Sequence, residues 1–123
     1  MKDCSARETG RSFNAMKQAD PFYKSQRWKA VREAVLRRDG YMCQESKRFG
    51  KMRQAETVHH IWPREDFPEI ELAPWNLISL TAAAHDEMHD RQTGALTAKG
   101  KALQERTERR QRLLHNPWFE GRA

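Results

Sequence analysis

Cysteine is nearly missing from this 123-residue chain, which has only Cys4 and Cys43. Two thiols cannot build a disulfide scaffold. Cys4 also lies in a stretch without helical or strand periodicity, so a bridge to it would tether little; the count suits a reducing compartment. Long apolar runs are absent as well. A membrane helix needs roughly 20 consecutive apolar residues, and the longest runs here are a few residues, so no membrane span is expected. No apolar stretch follows Met1-Lys2-Asp3, which sets the expectation of a chain without a secretory leader, working in the cytoplasm. Hydrophobic residues make up 37% and charged residues 33%, with a mean hydropathy of -1.01. That supply of apolar side chains is too small to bury the whole length evenly, so the expectation is one domain with a compact middle and poorly packed ends.

What the chain has in quantity is positive charge, unevenly placed. The net charge is +6 and the pI near 9.7. Residues 1–60 carry 14 Lys/Arg against 7 Asp/Glu, residues 61–92 carry 2 against 7, and residues 93–123 carry 7 against 3. Basic flanks around an acidic middle fit a polyanionic partner, because Lys and Arg displace counterions from a phosphate backbone. A merely solvated basic surface fits the charge equally well.

Local signals divide the chain into a tail over 1–20, a central domain over 21–94 and a basic helical extension over 95–123. Ser25 is placed to cap a helix over about 26–38, with Trp28, Val31, Val35 and Leu36 as its apolar stripe and Gly40 suited to its C-terminal turn. Residues 41–61 read as a short β element: Tyr41-Met42-Cys43, a polar turn through Gly50, then Ala55 to Ile61. A proline- and acid-rich loop runs from Pro63 to Pro74, and Leu77 to Leu80 form a second strand. Thr81 should cap a helix over about 82–92, stopped near Thr93-Gly94. The last helix, about 97–115, has Leu103, Leu113 and Leu114 as its few apolar anchors.

Four of the five histidines fall between positions 59 and 89: His59-His60, His85 and His89; the fifth, His115, sits in the basic tail. Adjacent residues on a strand project to opposite sides. His85 and His89, four apart on the predicted helix, project from one face. One strand histidine plus the helical pair supplies three nitrogen ligands, a usual number for a catalytic metal with an open position. The other strand histidine is then available for acid–base work. A lone histidine is most often structural; four in this arrangement are not well described that way.

Val58-His59-His60-Ile61-Trp62-Pro63, Asn76-Leu77-Ile78-Ser79-Leu80 and His85-Asp86-Glu87-Met88-His89 together resemble the HNH endonuclease motif. Asn76 lies 16 residues after His60 and His85 nine after Asn76, the spacing of that motif. The lead-in Phe22 to Trp28 and Arg38 to Cys43 also resembles small phage and bacterial HNH proteins, and the resemblance covers about residues 22–92. It implies an α+β fold: a small ββα-metal core of a short antiparallel hairpin plus a metal-binding helix, with a basic helix before it and a basic C-terminal helix. It implies a metal-dependent endonuclease that hydrolyses DNA phosphodiester bonds to a 5′-phosphate and a 3′-hydroxyl. By the same resemblance His60 is the general base, Asn76 ties down the loop and orients His60, and His59, His85 and His89 bind one divalent metal. The small free-standing format resembles HNH proteins that work beside a phage terminase in DNA packaging, which would place this one in a bacterial host's cytoplasm with packaging proteins as partners.

The chain departs from the family pattern in two places. Many relatives hold a structural zinc on two Cys-x-x-Cys pairs; here Cys43 is followed by Ser46, and Thr81 and Ala84 stand at the downstream pair, so no structural zinc is expected. Trp28, Trp62, Trp75, Tyr41 and the aliphatic strand residues should close the core instead. Second, His59 stands where many relatives have Asp. Three neutral imidazoles favour zinc, nickel or cobalt over magnesium, which leaves the metal open among Zn, Ni, Co, Mn and Mg. Glu65, Asp66, Glu69 and Glu71 read as a solvated acidic loop rather than as ligands, and Asp86 and Glu87 as exposed or supporting groups. Arg53, Arg32, Arg37, Arg38, Lys47, Arg48 and Lys51 form a collective phosphate footprint. The rival class is a non-catalytic DNA-binding or packaging accessory whose metal braces the fold.

Overall fold

The structure, a computed structural model, describes residues 20–122; the expected tail, Cys4 included, lies outside the described residues. Asp20 and Pro21 open a 3-10 turn over Pro21–Lys24, and Ser25 then caps helix α1, Gln26–Arg38. The Ser25 hydroxyl accepts the Trp28 N–H at 3.1 Å and donates to the Phe22 carbonyl, so one side chain joins turn to helix. Gly40 ends the helix at φ +66. Helix α2, Gln44–Arg48, follows, then strand β1, Thr57–His60. A loop with two 3-10 turns leads to strand β2, Leu77–Leu80, helix α3, Ala82–Asp86, and helix α4, Ala98–Leu113. No helix among the described residues is long and apolar enough to cross a membrane.

The two strands pair antiparallel, Thr57 with Leu80 through His60 with Leu77. This ribbon separates two cores. Val58, His60 and Leu77 share one face, and Val58 and Leu77 pack on Trp28, Val35 and Leu36 of α1. Leu80 on the other face joins Cys43, Ile61, Trp62, Ala84, Met88, Leu103 and Phe119. The α+β architecture with a two-stranded ribbon, α3 behind it and basic helices before and after is the expected one. The C-terminal segment is integral to the second core through Leu103 and Phe119.

Several expectations need correction. The helix after Thr81 stops at Asp86 rather than about residue 92, and His89 instead forms an isolated bridge with Leu96. The cause is a competing turn: the Asp90 carboxylate accepts the Gln92 and Thr93 N–H groups, and Gly94 closes onto the Asp90 carbonyl at φ +78. Residues 44–48 are helical, not a plain turn. Leu103 is a core anchor, but Leu113 and Leu114 are 78% and 66% exposed, and Tyr41 is exposed with its hydroxyl on Glu33. Phe119 takes the packing place assigned to the two leucines. At the positions of the relatives' cysteine pairs, the Cys43 thiol is buried with the Ser46 N–H at 3.4 Å and the Thr81 hydroxyl at 3.9 Å.

Gly100 shows how tightly α4 holds the metal-side segment. Replacing an interior helical glycine by alanine ordinarily stabilises, by up to about 1 kcal/mol. A Cβ here would stand 2.7 Å from the Met88 carbonyl oxygen and 2.8 Å from Leu96 Cδ2. Gly100→Ala should therefore destabilise, by about 1–3 kcal/mol in denaturant unfolding, and weaken metal binding because Met88 adjoins His89. A stabilised variant would contradict this packing.

Candidate metal centre

Strand alternation sends His59 and His60 to opposite faces of the ribbon. His59, fully buried, meets His85 from α3 and His89 from the bridged segment after it. The three ring centroids are 5.3 to 5.5 Å apart, and one ligand-competent atom from each lies within 4.8 Å of the others. Although His89 has left the helix, it arrives where a helical i+4 residue was expected to point. Its Nδ1 is 3.3 Å from the Gly94 carbonyl. A carbonyl can only accept, so Nδ1 carries the hydrogen and Nε2 the lone pair, the arrangement typical of a metal-binding histidine.

The donors fit a divalent cation. Burial first, then the neighbouring His85, His89 and His60, pushes the His59 imidazole well below its ordinary 6.5. A neutral ring with a lone pair is the form that coordinates a metal. No carboxylate among the described residues joins this cluster. Glu71 pairs with Arg64, Glu69 accepts from Trp118 and faces Arg122, and Glu87 pairs with Lys99.

His60 lies against α1. Its ring stacks on Trp28 at 5.2 Å and 19°, with Phe22 and Tyr23 at 6.1 and 6.5 Å, and it is 3% exposed. Its Nε2 is 3.0 Å from the Glu71 carbonyl. By the same reasoning Nε2 bears the hydrogen and Nδ1 is the basic nitrogen.

Asn76, fully buried, accepts the Trp62 N–H at 2.7 Å and donates to the Trp62 and Ile70 carbonyls. It thus closes the loop between the strands, and its own carbonyl accepts the Ile61 N–H. Glu71, whose carbonyl meets His60, lies in that loop. Arg64 braces it from outside, binding Glu71 at 3.1 Å and Asp20 at 2.8 Å with its guanidinium 4.0 Å over Phe22.

Sequence reasoning missed Glu71 and Gly94, because both act through main-chain carbonyls that no side-chain pattern reveals. It placed Trp28 first in the core; the structure makes it both core and the stacking partner of His60. The basic residues scatter over the surface. Arg32 is half-buried on α1, and Arg37 faces Glu33 at 3.5 Å. Arg38 donates to the Pro74 and Leu77 carbonyls and to Asp39, fastening α1 to β2. Arg48 pairs with Glu45, while Lys47, Lys51 and Arg53 are exposed and form no ion pair among the described residues.

No family model and no curated protein matches the chain. Among solved structures it is similar to the HNH endonuclease of the deep-sea thermophilic bacteriophage GVE2, a structure containing manganese. The two are 34% identical over 63% of this chain and 88% of that one, with a TM-score of 0.54. The ribbon, the following helix and the three-histidine cluster define a ββα-metal architecture. With that identity and coverage, the chain belongs to the HNH endonuclease family.

The depressed His59 pKa makes stability pH-dependent. Below about pH 6.5 the unfolded chain takes up a proton at His59 that the folded one refuses. Stability should fall as pH drops through that point, with this residue contributing a slope of about 1.4 kcal/mol per pH unit. Protons also compete with the metal. Thermal melts of metal-free protein from about pH 7.5 to about pH 5.5 should fall more steeply for wild type than for His59→Gln, and the melting-temperature gain from added metal should shrink. Equal slopes would contradict a buried neutral His59.

Proposed function

We propose that this chain is a metal-dependent endonuclease that hydrolyses DNA phosphodiester bonds. His59, His85 and His89 hold one divalent ion, and His60 is the general base. The observation that carries the reading is the pairing of two elements on adjacent residues: a three-imidazole cluster at His59 and, at His60, an imidazole whose Nε2 meets the Glu71 carbonyl. A bound divalent cation supplies Lewis-acid stabilisation of the charge that builds on the phosphate and its leaving oxygen.

His60 does the proton chemistry. With Nε2–H held on the Glu71 carbonyl, Nδ1 takes a proton from water as the water oxygen attacks phosphorus. The carbonyl also stabilises the imidazolium that results, because its acceptor already faces the N–H that gains positive charge. The bond to the 3′-oxygen breaks, and that oxygen takes a proton from solvent, leaving a 3′-hydroxyl and a 5′-phosphate. Asn76 keeps the loop shape that brings the Glu71 carbonyl to the ring. Lys47, Arg48, Lys51, Arg53, Arg32 and Arg37 supply phosphate contacts, with Arg38 adding charge while its donors hold β2. The metal is one of Zn, Ni, Co, Mn or Mg; manganese in the phage GVE2 structure supports the oxygen-preferring end of that range, and three imidazoles the other. The same relative's phage origin supports a phage setting, in which the enzyme acts in the host cytoplasm beside terminase or other packaging proteins.

One observation favours a second reading. His60 is 3% exposed and stacked on Trp28, as a packing histidine would be in a DNA-binding accessory whose metal braces the fold. Plasmid cleavage with each divalent metal separates the two. The nuclease reading expects His60→Ala to lose about a hundredfold to ten-thousandfold in rate while metal affinity stays near wild type. Undiminished cutting by that variant sinks the assigned base; a wild type that binds DNA without nicking it, with His59→Ala, His85→Ala and His89→Ala melting early, establishes the accessory.

A further inference from the structure

The segment between Tyr41 and Ala55 projects as a braced tip. At its base the Cys43 N–H donates to the Arg53 carbonyl at 2.7 Å, Met42 bridges to Gln54, and the Ala55 N–H donates to the Tyr41 carbonyl at 2.8 Å. Cys43 is fully buried in the second core, and Glu45 is gripped by Arg106 of α4 and by Arg48, each at 3.1 Å. The turn beyond α2 closes through Phe49, Gly50 and Lys51 N–H bonds back to Ser46 and Lys47, with Gly50 at φ +78. The backbone is therefore hydrogen-bonded and anchored.

On this rigid tip two large apolar side chains face solvent: Phe49, 66% exposed, and Met52, 83% exposed. Lys47, Arg48, Lys51 and Arg53 surround them within seven residues, and the Arg48 guanidinium sits 5.2 Å over the Phe49 ring. Phenylalanine, methionine and arginine also suit a protein interface, but the cores of such interfaces are depleted in lysine, and Lys47 and Lys51 flank the pair here. Duplex DNA is the partner that rewards both at once, with cations on the phosphates flanking a groove and apolar wedges pressed between base steps. The distance suits this too. Arg53 precedes His59 by six residues, and six residues span at most ~20 Å, within one helical turn of a phosphate at the metal.

We propose that this tip is a DNA-kinking wedge: Lys47, Lys51 and Arg53 grip the backbone on either side of a groove while Phe49 and Met52 enter and partly unstack a base step. The inference rests on DNA being the substrate but not on its being cut. Kinking opens the duplex near the scissile phosphate and makes flexible pyrimidine–purine steps the preferred sites.

The test uses the full chain in chelator, on a fluorescently end-labelled duplex of about 30 base pairs containing 2-aminopurine beside a TA step. Wild type should shorten the end-to-end distance and raise the 2-aminopurine emission. The double variant Phe49→Ala/Met52→Ala should lose both signals and bind about tenfold more weakly, with an unchanged melting temperature and unchanged metal affinity. Lys47→Ala/Lys51→Ala should lower the slope of log affinity against log salt by about two. A double variant that binds and bends DNA as wild type does, or a wild type that binds without bending or fails to bind, overturns the wedge. A wild type that bends DNA and never cuts it with any metal leaves the wedge standing and removes the nuclease reading. Cleavage indifferent to Phe49 and Met52 does the reverse.

Discussion

The register of one short ribbon is the constraint on which the rest depends. Strand β1 must send His59 to the three-histidine cluster and His60 to Trp28, and a slip of one residue would exchange them. Four residues of strand cannot hold a register alone, so the fold fastens it at both ends. The Glu56 N–H bonds the Leu80 carbonyl and the Ile61 N–H the Asn76 carbonyl, extending the pairing beyond the strands. Asn76 then locks the loop through Trp62 and Ile70, while Asp39 accepts the Ser79 N–H and Arg38 holds the Leu77 carbonyl. These contacts satisfy the buried Asn76 amide and the main-chain groups they join, where an unmade bond would be expensive.

The acidic stretch over residues 61–92 looks out of place in a basic protein. The structure gives most of its carboxylates a bracing task. Glu71 is held by Arg64, Glu69 by Trp118 and Arg122, Glu87 by Lys99, and Asp90 builds the turn that delivers His89. The Thr93 and Gln92 N–H groups hold the Asp90 carboxyl below its ordinary range. The candidate metal donors among the described residues are imidazoles alone, so a bound divalent ion would bring its full charge to this locally acidic region.

Much of this was legible in the sequence because it rests on local signals. Ser25 before an apolar stripe marks α1, the Leu-Ile-Ser-Leu run marks β2, and Thr81 caps the helix that follows it. The convergence of His59, His85 and His89 was legible from their separation. What escaped depends on contacts distant in sequence or on the main chain. Helix α2 has no apolar stripe and stands on the Cys43 cap and the Glu45–Arg106 pair, 61 positions apart. A four-residue spacing fits a helix, yet Asp90 and Gly94 turn His89 into a bridge. Leu113 and Leu114 look like anchors until Phe119 folds back, with Arg112 holding its carbonyl. The Glu71 carbonyl on His60 could not be read from any residue type.

The central claim is that the two adjacent histidines have different partners: His59 binds the metal with His85 and His89, and His60 stays a tautomer-fixed base. Titrating imidazole-15N-labelled protein with Zn2+ and following the ring nitrogens by NMR tests it most directly. The account predicts one equivalent of metal, coordination shifts at His59, His85 and His89, and His60 retaining its Nε2–H form throughout. Coordination at His60, or a His60 carrying its hydrogen on Nδ1, would contradict it.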